Sequence, residues 1–211
     1  MADELVLYTN PMSRGRIARW MLEEVGQPYR AEILEYAGSM KAPGYLAINP
    51  MGKVPTLRHG ETIVTEAAAI CAYLADVFPE AGLAPSPGSR LRGPYYRWLF
   101  FAAGPLEAAN TNKTLNVVVP AERSAMVGYG SQEWALAALE DQLKRCEYIA
   151  GDRFTAADVY VGSHVGLGMM FGAIDKRPAF ERYWGLVSAR PAALRAREID
   201  DKLAADRRKA G

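Results

Sequence analysis

Asn49-Pro50-Met51-Gly52-Lys53-Val54-Pro55-Thr56-Leu57 is the stretch on which the reading of this chain depends. Pro50 and Gly52 mark a turn, because proline fixes φ and glycine admits φ > 0. Val54, Thr56 and Leu57 then open a strand. Pro55 stands at the seam and has no N–H to give to a ladder. A proline in that place is a candidate cis peptide. A cis Val54–Pro55 bond turns the N–H and C=O of Val54 outward, where they can pair with an extended peptide as an added strand does. Taken alone, the segment reads rather as a plain proline-rich turn before an edge strand. The flanking sequence has to decide.

Downstream, His59-Gly60 makes a tight turn and Ile63-Val64 a returning strand, so the segment opens a hairpin. Thr65-Glu66 then starts a helix whose apolar face is Ala67, Ile70, Cys71, Leu74 and Phe78. Upstream, Leu5-Val6-Leu7-Tyr8 is apolar enough for a central strand. Thr9-Asn10-Pro11-Met12 follows as a loop, and Ser13 stands at the N-cap of a helix with Ile17, Trp20, Met21 and Val25 on one face. Gly26 fits the left-handed position past its end, with Pro28 beyond. Tyr29, Ala31 and Ile33 alternate with polar neighbours and predict a second strand. Residues 36–48 are irregular, with room for a short helix. The order β-α-β-(α)-β-β-α over residues 1–79 describes a small α/β domain.

Strand signals stop after that. Residues 80–88 have the composition of a linker, and residues 89–211 read as all-helical. Leu91, Tyr95, Trp98, Leu99 and Ala102 form one stripe, closed by Gly104-Pro105. Residues 110–130 carry Asn, Pro and Gly and define no clear element. Ser131 is placed to cap a helix with the stripe Leu136, Leu139, Leu143 and Cys146. Thr155 and Asp158 have the spacing of a capping box, with Asp in place of the usual Glu. The helix after it, Val159 to about Phe171, is apolar all round and belongs in a domain centre. His164 on it reads as a hydrogen-bonded core histidine. Another helix carries Phe180, Tyr183, Trp184 and Val187 and ends at Pro191. From Ala192 the mixed charges predict a solvated, frayed helix.

Composition narrows the function. The 211 residues are half hydrophobic and carry a net charge of +1, which gives no field for nucleic acid or an anionic membrane. No apolar run reaches the roughly 20 residues needed to span a bilayer. Cys71 and Cys146 are the only cysteines and His59 and His164 the only histidines, which argues against a zinc site or a disulfide. The N-terminus lacks the charged and apolar regions of a signal peptide, so a reduced, cytoplasmic protein is expected.

Three motifs in order now carry a likeness: Tyr8-Thr9-Asn10-Pro11-Met12-Ser13-Arg14-Gly15-Arg16, then Asn49 to Leu57, then Phe154-Thr155-Ala156-Ala157-Asp158. Thr65-Glu66-Ala67-Ala68-Ala69-Ile70 is a weaker fourth. With this spacing the chain resembles the soluble glutathione S-transferase superfamily, in a bacterial-like, serine-type form. The resemblance covers nearly the whole chain except residues 105–130. It implies a thioredoxin-like N-terminal domain that binds glutathione and an all-helical C-terminal domain that lines the pocket for the electrophile. It further implies that Val54, before a cis Pro55, pairs with the cysteinyl part of glutathione. The resemblance also implies that Glu66 and the N–H groups after it hold the γ-glutamyl end and that Lys53 contacts the glycyl carboxylate. Ala67 departs from the pattern, since relatives usually carry Ser or Thr there.

The reaction sets a further demand on the site. A free thiol has a pKa near 8.5 and attacks electrophiles as the thiolate. Lowering that value by about two units takes roughly 2.7 kcal/mol. An exposed helix N-terminus supplies only about 0.3–1 kcal/mol, whereas a hydrogen bond to a charged group supplies about 1.5–3 kcal/mol. A hydroxyl donor is therefore needed, and Ser13 and Tyr8 are the two candidates. Ser13 is favoured because the helix start and the hydroxyl act together there. With no cysteine at the position, conjugation or peroxide reduction is more natural than thiol–disulfide exchange. Met12, Tyr95, Trp98, Phe101, Met169 and Phe171 are candidate walls for a small hydrophobic electrophile between the domains. The resemblance implies a homodimer, a detoxification role, and no metal, nucleic-acid or membrane partner. Two other readings remain open: a non-catalytic glutathione-binding or regulatory protein, to which Ala67 points, and a glutathione-dependent isomerase or dehalogenase.

Overall fold

The structure is a computed structural model that describes residues 3–210. The chain packs as two units. The first comprises the chain up to Gly82 together with the segment from Ala189 onward, and the second runs from Leu83 to Ser188.

The first unit is built on β1 (Leu5–Thr9), α1 (Gly15–Val25), β2 (Arg30–Ile33), the short α2 (Pro43–Leu46), β3 (Thr56–His59), β4 (Thr62–Thr65) and α3 (Ala67–Val77). The sheet order is β2-β1-β3-β4; β1 runs parallel to β2 and antiparallel to β3, and β3 pairs antiparallel with β4. This is the mixed sheet expected from the alternation of elements. β1 is central and buried at Leu5, Val6 and Leu7, which explains its unbroken apolar run. Ile17, Met21 and Leu22 of α1 and Ile70, Cys71 and Leu74 of α3 complete the core, and the two helices pack together. Gly26 closes α1 at φ 74°, its N–H donating to Leu22 O at 2.9 Å.

The second unit is helical: α4 (Arg92–Phe101), α5 (Glu107–Thr114), α6 (Gln132–Arg145), α7 (Ala156–Met170) and α8 (Pro178–Ser188). The stop expected at Gly104-Pro105 is absent. Ala102–Leu106 forms a π-helical turn that contains Pro105 and carries α4 into α5. Such a widened turn accommodates a proline that would otherwise break the i→i−4 ladder. Ser131 caps α6, its Oγ accepting from Trp134 N at 3.2 Å. The α7 capping box forms as expected, and α7 is buried over most of its length. Asp158 is fully buried and accepts four bonds: from Ile149 N (2.7 Å), Thr155 N (2.8 Å), Thr155 Oγ1 (3.1 Å) and Tyr183 Oη (2.9 Å). Burial pushes its carboxyl up to about 6, against the pull of those four donors. Residues 80–88 are less loose than a linker composition suggests. Leu83 is buried, and its carbonyl accepts from Ala156 N at 2.8 Å, so the division between units falls at Gly82.

The final helix, α9 (Pro191–Ala210), corrects the expectation of a frayed, solvated tail in the helical domain. It packs against α1 of the first unit. Its alanines 192, 193, 196 and 204 are buried, and four of its charged residues, Arg195, Asp200, Asp201 and Arg207, pair with residues early in the chain. Arg19 Nε bonds Asp200 Oδ1 at 2.9 Å with both side chains buried. Arg16–Asp201 (2.7 Å), Arg195–Glu23 (3.1 Å) and Arg207–Glu35 add further pairs. Among the described residues, no helix is long and apolar enough to cross a membrane.

Candidate functional site

The sheet register brings the motifs to one end of the first unit. Thr56 pairs with Tyr8 on one side and with Thr65 on the other. One step outward from these three residues lie Pro55, Thr9 and Glu66. The β1–α1 turn, the Val54–Pro55 bond and the start of α3 therefore share the end of the sheet where both helices begin.

The β1–α1 turn is tightly bonded. Asn10 is buried; its Nδ2 donates to Leu34 O (2.7 Å) and its Oδ1 accepts from Met12 N (2.9 Å). Ser13 Oγ donates to Asn10 O (2.7 Å) and accepts from Gly15 N (2.9 Å). The helix starts at Gly15 with Arg14 at the N-cap, so Ser13 lies one residue ahead of its expected place, yet it still caps a free N–H. Gly15 is required by contact: a Cβ there would lie 1.9 Å from Thr9 Oγ1 and 2.9 Å from Ser13 Oγ. Tyr8 is half-buried, and its ring lies 5.5 Å from that of Tyr45.

The Asn49–Pro55 turn is held as firmly. The Val54–Pro55 peptide is cis. Lys53 O accepts from Tyr45 Oη (2.5 Å) and Asn49 Nδ2 (3.0 Å). Asn49 Nδ2 also reaches Thr56 Oγ1 at 3.0 Å, and Lys41 Nζ donates to Gly52 O at 2.8 Å. Gly52 has φ 57°, and a Cβ there would meet Met40 O at 2.7 Å. Among the described residues, no hydrogen bond engages the backbone N–H or C=O of Val54, while the Lys53 carbonyl before it is bonded twice. Lys53 is exposed and pairs with no carboxylate among the described residues.

Glu66 precedes α3 with φ 66° and ψ 118°, backbone that a residue with a side chain rarely adopts. Its side chain is exposed, and Ala67 behind it is buried at the first helical position. The first N–H groups of α3 have no partner within the helix and point out of its start.

Sequence reasoning named Ser13, Tyr8, Lys53, Val54, Pro55, Glu66 and Ala67, and all seven fall at this end of the sheet. It missed the residues that hold them: Asn10, Gly15, Arg16, Tyr45 and Asn49. Burial-capable polar side chains within two to four residues of a proline turn were the available signal. Tyr95 and Trp98 are a correction. They are 0% and 1% exposed, so they fill the core of the helical unit and offer no wall to a ligand. Phe101 and Met169 are half-buried and Met12 and Phe171 exposed. Cys71 is buried, and burial pushes its thiol up, which fits an inert core cysteine. His164 is nearly buried, its ring against Tyr160 and its Nε2 3.8 Å from Glu107. Among the described residues, no group of three or more His, Cys, Asp or Glu is placed to hold a metal.

A thioredoxin-like sheet followed by a helical unit, with this site at the sheet end, defines a known class. The model for the glutathione S-transferase N-terminal domain matches residues 12–77, and that for the C-terminal domain matches residues 121–191. Glutathione S-transferase 3 of Zea mays is 28% identical over 205 residues, covering 89% of this chain and 90% of the relative. A glutathione transferase from Methylococcus capsulatus is 29% identical with a TM-score of 0.78, covering 93% of this chain and 98% of that one. A sphingomonad glutathione S-transferase, solved with glutathione, is 29% identical with a TM-score of 0.75, covering 93% and 98%. The chain belongs to the glutathione S-transferase superfamily and is an enzyme of that class.

Proposed function

We propose that this enzyme activates glutathione at Ser13 and transfers it to small electrophilic carbon. The unengaged Val54 backbone, next to a Lys53 carbonyl that accepts two bonds, carries the reading. It is a ready-made strand edge for the cysteinyl part of glutathione. The start of α3 offers N–H groups and partial positive charge to the γ-glutamyl carboxylate, with Glu66 beside them for the γ-glutamyl amine. Lys53 supplies a cation for the glycyl carboxylate. Ala67 gives the γ-glutamyl end one hydroxyl contact fewer than a Ser or Thr there would.

At the thiol, Ser13 Oγ gives up its bond to the neutral Asn10 carbonyl and donates to the thiolate instead. The exchange is favourable because a bond to a charged acceptor is roughly twice as strong as one to a neutral acceptor. The Gly15 N–H bond to the same oxygen holds it in place and polarises it. The thiolate then attacks the electrophile; the C–S bond forms and the leaving group departs with its electron pair. Within the helical unit, Phe101, Met169 and Phe171 remain candidates to line the electrophile's wall. Peroxide reduction is a second outlet for the same thiolate.

Retention on immobilised glutathione, followed by turnover of chlorodinitrobenzene, tests this reading. Retention and turnover together are expected. Retention without turnover would favour the non-catalytic, isomerase or dehalogenase readings. A homodimer is part of the proposal, supported by Tyr96 and Phe100, 38% and 71% exposed and four residues apart on α4. Light scattering at micromolar concentration should give twice the chain mass.

A further inference from the structure

The turn that carries Ser13 is tied down one carbonyl at a time. Asn10 O is held by Ser13 itself, and Met12 O accepts from Tyr36 Oη at 2.9 Å. Pro11 O accepts from Arg16 Nε at 2.6 Å. The Arg16 anchor reaches furthest along the chain, because another nitrogen of the same guanidinium, Nη2, holds Asp201 Oδ1 at 2.7 Å on α9. α9 is itself a fixed base there. The neighbouring Asp200 is buried against Arg19, and Arg195 pairs with Glu23 of α1. Asp201 is 59% exposed and Arg16 28%, so as a contribution to stability their pair is worth only about 0–1 kcal/mol. Its geometry matters more. A guanidinium is a rigid planar fork, so fixing one nitrogen on Asp201 fixes the direction in which another donates to Pro11.

We propose that Arg16 is a positioning residue for thiolate activation: it takes its place from Asp201 on the last helix and sets the Pro11 carbonyl, and with it the Met12–Ser13 backbone. The proposal rests on the reading that Ser13 donates to the thiolate. A single hydroxyl is useful only while its distance and angle hold, since hydrogen bonds weaken steeply off line. Functional groups need placing within about 0.5 Å, and a misplacement of about 1 Å can cost on the order of 10²-fold in rate. Among the described residues Asp201 bonds Arg16 and neither the turn backbone nor Val54, and loss of its negative charge alone would lower the thiol pKa, so a rise in Asp201→Asn reports the lost hold on Arg16.

The test uses the full chain with glutathione and four variants: Asp201→Asn, Asp201→Glu, Arg16→Gln and Ser13→Ala. The readouts are the thiolate absorbance of bound glutathione against pH, and kcat and KM for glutathione. Asp201→Asn and Arg16→Gln should raise the bound thiol pKa by about 0.5–1 unit, lowering kcat near neutrality roughly three- to tenfold, with recovery at higher pH. KM should stay within about twofold, and Asp201→Glu should restore the wild-type profile. If Arg16→Gln does not fold, the exposed Asp201→Asn decides alone. Unshifted titrations in Asp201→Asn and Arg16→Gln, with a shift in Ser13→Ala, overturn the positioning role and leave the Ser13 reading standing. A shift in Asp201→Asn with none in Ser13→Ala removes Ser13 as the donor and keeps the clamp acting on the turn. No shift in any variant overturns both.

Discussion

Truncating Asp200 to alanine isolates what holds α9 to the first unit. Arg19 and Asp200 are about 2% and 1% exposed, with Nε to Oδ1 at 2.9 Å. Arg19 Nη1 also donates to Tyr29 Oη at 3.1 Å, and Tyr29 Oη donates to Glu23 at 2.8 Å. Without Asp200 the guanidinium stays buried and keeps only the neutral tyrosine. Leaving one member of a buried pair uncompensated costs about 3–5 kcal/mol, a large share of the roughly 5–15 kcal/mol that holds a protein folded. For a chain of this length the melting temperature should fall by roughly 6–20 °C. The pair is also incompletely satisfied: Arg19 Nη2 and Asp200 Oδ2 are buried without hydrogen-bond partners among the described residues. Replacing both residues, Arg19→Met with Asp200→Leu, should therefore recover most of the loss or exceed wild type. Urea and thermal unfolding followed by circular dichroism measure both. A loss below about 1 kcal/mol in Asp200→Ala, or a double variant worse than the single one, would refute the reasoning.

Gly15→Ala forces a Cβ onto Thr9 Oγ1 and Ser13 Oγ, so kcat at neutral pH should drop at least tenfold and the melting temperature should also fall; steady-state kinetics and a melt read both. Asp158→Ala strands the N–H groups of Ile149 and Thr155 and the Tyr183 hydroxyl, and should cost at least about 3 kcal/mol. Glutathione affinity per folded molecule should not change, and normal stability with lost binding would contradict the structural role. Glu66→Gly relieves the positive φ, adding about 1 kcal/mol to stability. The same change removes the carboxylate and should raise KM for glutathione, so stability up with affinity down is the expected pair of results.

The α/β order, the cis proline and the ends of most helices were readable because each rests on local chemistry. Pro55 at a seam, Gly26 past a helix and Thr155 three residues before Asp158 act within one turn of the chain. The Pro105 region misled because a proline normally ends a helix, and only packing decides that a π turn absorbs it. The tail from Ala192 misled for a different reason. Its charges look solvated until their partners Arg16, Arg19 and Glu23, almost the length of the chain away, are brought beside them. Tyr95 and Trp98 show the remaining ambiguity: aromatic spacing on a helix looks the same for a core as for a pocket wall. Among the candidate site residues, Val54 and Pro55 stood out through turn chemistry, whereas Lys53, Glu66 and Ala67 were singled out by the family resemblance. Asn10, Asn49 and Tyr45 were not legible, since their part is to bond carbonyls that only the folded turn places within reach.

Donation from Ser13 to the glutathione thiolate is read most directly from the thiolate absorbance of bound glutathione titrated against pH in Ser13→Ala and Tyr8→Phe. Ser13→Ala should leave glutathione affinity nearly unchanged and raise the bound thiol pKa by about one to two units, the loss expected of one charge-assisted bond of about 1.5–3 kcal/mol. Tyr8→Phe should titrate as wild type. A shifted titration in Tyr8→Phe with none in Ser13→Ala would contradict the account and make Tyr8 the activating residue.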